Sequence, residues 1–119
     1  MQLATALIFA KDIDRLIAFY RDGLGLRLLD RSSGWARFDA GGTSLALHAI
    51  PAEIAARIEM TDPPRARSDM PIKLVFETDN VTTALAHLEA HGAVMFEPRS
   101  ETSCDGLDPE GNVFQIARA

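Results

Sequence analysis

Apolar and polar positions along the chain alternate in an order that occurs twice. Residues 3–9 are β-prone and apolar on both faces. Asp12 then stands where a helix N-cap belongs, ahead of Ile13, Leu16, Ile17 and Tyr20 at helical spacing. Gly23 and Gly25 end that helix, and three short strands are predicted at 26–30, 36–39 and 44–49, parted by Ser32-Ser-Gly34 and Gly41-Gly42. The order β-α-β-β-β returns with a strand at 72–77, a cap at Asn80, helical positions Val81, Ala84, Leu85 and Leu88, and a stop at Gly92. Strands are predicted at 93–96, 102–107 and 113–117, the last entered through the turn Asp108-Pro-Glu-Gly-Asn112.

The two runs are in register. Asp12 maps on Asn80, Leu16 on Ala84, Ile17 on Leu85 and Tyr20 on Leu88 at an offset of 68, and Asp39-Ala-Gly-Gly-Thr43 maps on the 108–112 turn at 69. Between them, residues 51–60 are expected to form a short helix and 61–69 an extended, mobile linker. This predicts one α+β domain over residues 1–119, with repeat units 1–50 and 70–119 joined by 51–69. A unit of this size leaves one sheet face without a helix, so the two units are expected in pseudo-two-fold arrangement, either covering each other or sharing a cavity.

The chain has 12 basic and 17 acidic side chains, a formal charge of -5, and is 47% hydrophobic. That balance disfavours nucleic acid and anionic membrane as partners, both of which need a basic surface. The apolar start is too short to span a bilayer and no Lys or Arg precedes it, so a cytoplasmic protein is expected. One cysteine, Cys104, can form neither an internal disulfide nor a Cys-based zinc site; it reads as a loop thiol.

The segment Lys11-Asp-Ile-Asp-Arg-Leu-Ile-Ala-Phe-Tyr20-Arg-Asp-Gly-Leu-Gly25 and the closing Asp108-Pro-Glu-Gly-Asn-Val-Phe-Gln-Ile116 resemble the vicinal oxygen chelate superfamily of glyoxalase I, bleomycin-resistance proteins and extradiol dioxygenases. The resemblance covers nearly the whole chain. It implies paired half-barrels whose cavities lie opposite the helices and are commonly completed in a homodimer. It also implies a metal held by His, Gln or Glu at four strand positions, which here become Thr5, Ala46, Lys73 and Gln115. Only Gln115 suits a divalent ion, and a Lys ammonium beside one sets like charge against like. The expectation is therefore a metal-free, bleomycin-resistance-like member without a cofactor, which binds a small organic molecule. Two alternatives stay open: a metal-dependent lyase or dioxygenase with displaced ligands His48, Glu77 and Gln115, and an interaction module with a filled cavity.

The expected ligand-binding residues are Phe9, Trp35, Arg37, His48, Lys73, Glu77 and Gln115. Lys73 shares a strand face with Val75 and Glu77, either as a cation for an anionic or carbonyl-bearing ligand or as a partner of Glu77. His48 lies two residues beyond Ala46 on the same face, as a general base or as a strand-end histidine at the cavity mouth. Ala36 and Phe38 suit the core, which turns Trp35 and Arg37 to the cavity or to a subunit interface. His87 and His91 fall off the apolar stripe of their helix and read as solvated. Asp105, Asp108 and Glu110 lack calcium-loop spacing and read as part of a turn.

Overall fold

In the computed structural model, which describes residues 1–67 and 69–119, the chain forms two compact units, Met1–Glu59 and Met60–Ala119. The boundary falls in the stretch predicted as a linker; Ser68 of that stretch lies outside the described residues.

The first unit runs β1 (Thr5–Ala10), α1 (Ile13–Ala18), β2 (Arg27–Ser32), β3 (Trp35–Asp39), β4 (Ser44–Ala49) and a one-turn α2 (Ala52–Ala55). Its sheet has the order β1-β4-β3-β2, with β1 parallel to β4 and the other pairs antiparallel. Asp12 caps α1 by accepting from the Arg15 N–H at 3.2 Å, as its place in the sequence predicts. One face of the sheet is closed by α1: Leu16, Ile17 and Tyr20 are buried with Ala36, Phe38, Leu45 and Leu47, each large one contributing about 2 kcal/mol.

α1 does not stop at the glycines as an ordinary helix. From Phe19 to Gly23 it widens into a π turn, in which the Leu24 N–H reaches the Phe19 carbonyl at 3.1 Å and Leu26 N–H the Tyr20 carbonyl at 3.0 Å. Adjacent Phe19 and Tyr20 are thereby both buried, edge to face at 5.2 Å.

The second unit repeats the plan with β5 (Leu74–Thr78), α3 (Val81–Ala90), β6 (Val94–Met95), β7 (Ser103–Leu107) and β8 (Val113–Arg118), in the order β5-β8-β7-β6. Asn80 caps α3 through the Thr83 N–H at 3.0 Å. The helix ends with the Ala93 N–H on the Leu88 carbonyl at 3.1 Å and Gly92 at φ 99°. Val81, Leu88, Cys104, Phe114 and Ile116 form the buried side.

Four expectations need correction. The predicted 51–60 helix is one turn long: past Ala55 the Arg57 and Ile58 N–H groups turn to the Ile54 and Ala55 carbonyls, three residues back, and this tighter turn ends it although Ile58 would continue the stripe. Residues 65–67 are not a free linker: the Arg67 N–H donates to the Gly111 carbonyl at 3.1 Å, and the Arg65 carbonyl lies where a Cβ on Gly111 would stand. The strand predicted from residue 72 starts at Leu74, with Lys73 just ahead of it. Cys104 is a strand residue rather than a loop thiol, buried, with its S–H directed at the Phe96 carbonyl at 3.2 Å.

Candidate functional site

Each sheet has a second face that its helix leaves open. Register fixes who stands on it. In the first unit Leu7, Ala46 and Arg37 form one row across β1, β4 and β3, and Phe9, His48 and Trp35 the next. Phe9 is 56% exposed, while Ala46, the smallest side chain of its row, is buried. His48 lies between two rings, 5.8 Å from Phe9 and 5.9 Å from Trp35 by ring centres, the Trp35 contact edge to face.

Beyond Trp35 and Arg37 the pairing with β2 slips by one residue between Leu28 and Asp30. This bulge turns Asp30 onto the open face. Its carboxylate accepts from Arg37 Nε at 2.9 Å and Trp35 Nε1 at 3.2 Å, and Arg37 Nη2 lies 2.8 Å away. Arg37 is therefore a paired cation and Trp35 a pinned ring. At the far end of β3, the Gly41 N–H first and then Arg27 hold the Asp39 carboxyl below the usual range.

In the second unit the open face carries Val75 and Glu77 from β5, Gln115 from β8 opposite Val75, and Asp105 from β7 opposite Gln115. Lys73 does not pair with Glu77. Its ammonium donates to both carboxylate oxygens of Asp105, at 3.3 and 3.1 Å, and Gln115 Nε2 donates to the same carboxylate at 2.9 Å. The Asp105 side chain is 13% exposed, against 37% for Lys73. Asp105 is thus a strand residue at the centre of a cluster, not part of the turn. Asp108 caps the turn, accepting from the backbone of Glu110 and Asn112 and from Asn112 Nδ2 at 2.8, 3.0 and 2.8 Å.

Against a divalent ion the four family positions fail. The Thr5 hydroxyl is bonded to that of Ser44 at 2.7 Å, Ala46 has no ligand atom, Lys73 is a cation, and Gln115, its Nε2 given to Asp105, offers Oε1 as one neutral ligand atom. Among the described residues no three His, Cys, Asp or Glu side chains gather to hold a metal. Of the displaced set, His48 is flanked by rings, Glu77 is exposed, and Gln115 is engaged as described. His87 and His91 are exposed on α3, their rings 4.4 Å apart.

Asp30 and Asp105 escape a reading of sequence for different reasons. Strict alternation along β2 puts residue 30 on the wrong face, and only the bulge corrects it. Asp105 was legible: it alternates with Cys104 and Gly106 and faces Gln115, but its nearness to Asp108-Pro-Glu-Gly masks it.

Residues 2–116 match the sequence profile of the Glyoxalase/Bleomycin resistance protein/Dioxygenase superfamily, and the chain belongs to it. Among solved structures it is similar to a family enzyme from Burkholderia phytofirmans PsJN, 27% identical over 99% of this chain and 98% of that one, with a TM-score of 0.79. A fosfomycin resistance protein from Mesorhizobium loti shares the fold at 13% identity, covering 99% and 91% of the two chains with a TM-score of 0.74. So does a lactoylglutathione lyase from Agrobacterium tumefaciens, at 23%, 99% and 93%, and a TM-score of 0.68. The expected α+β fold of two βαβββ units is the observed one. No helix among the described residues is long and apolar enough to cross a membrane.

Proposed function

We propose that this protein is a metal-free member of the superfamily that binds and sequesters a small, partly apolar organic molecule on its open sheet faces. Phe9, Trp35, Arg37 and His48 serve the first unit, and Lys73, Glu77 and Gln115 the second. The observation that carries the reading is the Lys73–Asp105–Gln115 cluster, which fills two family ligand positions with a cation and an engaged amide. Exposed Leu7, Phe9 and Val75 on otherwise polar faces supply apolar contact of the kind small-molecule sites use. The family's name includes a bleomycin resistance protein, and a fosfomycin resistance protein shares the fold. The same reading takes the protein as a cytoplasmic homodimer with no nucleic-acid or membrane partner, in keeping with its net charge of -5.

The test is the metal content of tag-free protein, followed by thermal-shift titration with nickel, zinc, manganese and iron(II). The expected result is no stoichiometric metal and no saturable rise in melting temperature. Stoichiometric metal, or a shift that disappears in His48→Ala, overturns the reading in favour of a lyase or dioxygenase. A screen of small aromatic and drug-like molecules then finds the ligand.

A further inference from the structure

The cations on both open faces are already spent. In the first unit Arg37 is held by Asp30, whose carboxylate also takes the Trp35 indole N–H. In the second, Lys73 is held by Asp105, whose carboxylate also takes a Gln115 amide N–H. On each face one carboxylate, Asp30 in the first unit and Asp105 in the second, is thus closed by one cation and one neutral donor. An anionic ligand has to displace that carboxylate to reach the cation, losing about as much attraction as it gains.

The surroundings add to this. Glu77 stands exposed on the same face as Lys73. The unit around it has five Lys and Arg against ten Asp and Glu, whereas the first unit has seven of each. The whole net charge of the chain is therefore gathered on the second unit. A negative ligand approaches it against the field, and a positive one with it.

We propose that these faces select ligands without negative charge, the second favouring an apolar molecule bearing a cationic group that meets Glu77, and that Asp30 and Asp105 set this selectivity by neutralising Arg37 and Lys73. The inference rests on the binding-protein reading and narrows it. It reverses the expectation that Lys73 and Arg37 recognise an anion.

Three probes of one shape decide the matter by calorimetry at low salt: 1-naphthylmethylammonium, 1-naphthalenemethanol and 1-naphthoate. The carboxylate is expected to bind about tenfold more weakly than the alcohol, and the ammonium at least as tightly as the alcohol. Asp105→Asn and Asp30→Asn keep the side-chain shape and free a cation. One of them, for the face the probe occupies, is expected to raise naphthoate affinity roughly tenfold, a gain that fades at high salt. Naphthoate binding to the parent protein as tightly as the alcohol overturns the inference and leaves the binding-protein reading standing. So does a pair of folded variants neither of which gains affinity for it. If neither variant folds, the parent series decides by itself. If none of the three probes binds, the binding-protein reading falls and takes the inference with it.

Discussion

The two units share one backbone plan and differ in what they put on it. Arg37 and Asp105 occupy the same sheet position, each opposite the family position on the neighbouring strand, Ala46 in one unit and Gln115 in the other. One is basic and the other acidic. The first unit surrounds its position with aromatic rings and balanced charge, the second with an amide, an ammonium and a surplus of carboxylates. The repeat therefore conserves what the backbone needs, caps and apolar stripes, and leaves the open face free to diverge. Burial constrains the helix side of a sheet to a few shapes, while nothing in the fold constrains the other side.

The hairpin turns that close each sheet make the contrast measurable. The Ala40 N–H bonds the Thr43 carbonyl at 3.0 Å, and the Asp108 N–H bonds the Asn112 carbonyl at 2.9 Å, so the second turn is one residue longer. It holds its aspartate inside, fully buried, whereas Asp39 stays half-exposed outside the first. Asp108→Ala strands three donors and is expected to cost about 3 kcal/mol in urea unfolding. Asp39→Ala is expected to cost far less, its carboxylate having water as an alternative partner. Because Asp39 is held below the usual carboxylate range, what it contributes is present above its unfolded value and drains away as pH falls through the folded one.

The glycines of the same turns come next in size. Gly42 and Gly111 both sit at positive φ, 91° and 83°, but open space surrounds the first and the Arg65 carbonyl roofs the second. Gly42→Ala should lose about 1 kcal/mol through backbone strain and Gly111→Ala about 3 kcal/mol, the excess being the displaced 65–67 segment. Equal losses would mean that this segment yields freely.

The smallest effect concerns chemistry rather than stability. Burial, helped by Asp105, Glu89 and Glu97, pushes the Cys104 thiol above its ordinary value. Native protein at pH 8 should then react with a disulfide reagent at least about tenfold more slowly than urea-unfolded protein. The sign for stability follows: the folded chain keeps its proton longer, so stability falls as pH rises past the thiol's unfolded value. The matching position in the first unit, Ala36, has no such titration.

Both helices, their caps and the buried halves of the strands were legible because burial enforces periodicity: Asp12, Asn80, Leu16, Tyr20 and Leu88 could be placed from spacing. The open faces were legible only as far as alternation held. Trp35 and Arg37 could be turned outward because Ala36 and Phe38 had to go in. Asp30 could not, because a bulge has no signature in β2, and the partner of Lys73 could not, because Glu77 and Asp105 are equally eligible in one dimension.

The π turn of the first unit marks a place where the two copies differ in length. Tyr20 and Leu88 are equivalent at an offset of 68, yet the left-handed glycines that follow, Gly25 and Gly92, are separated by 67. The Leu26-to-Tyr20 bond spans six residues where its counterpart, Ala93 to Leu88, spans five. The first copy is one residue longer here, and a single widened turn accommodates it, with Arg21 and Asp22 paired on the outside. The second copy is longer by one residue between Gly92 and Asp105 and by one more in the 108–112 turn, which returns the offset to 68 and then raises it to 69. These differences in length fall outside β4 and β8, which still run in step although the side chains on them no longer match.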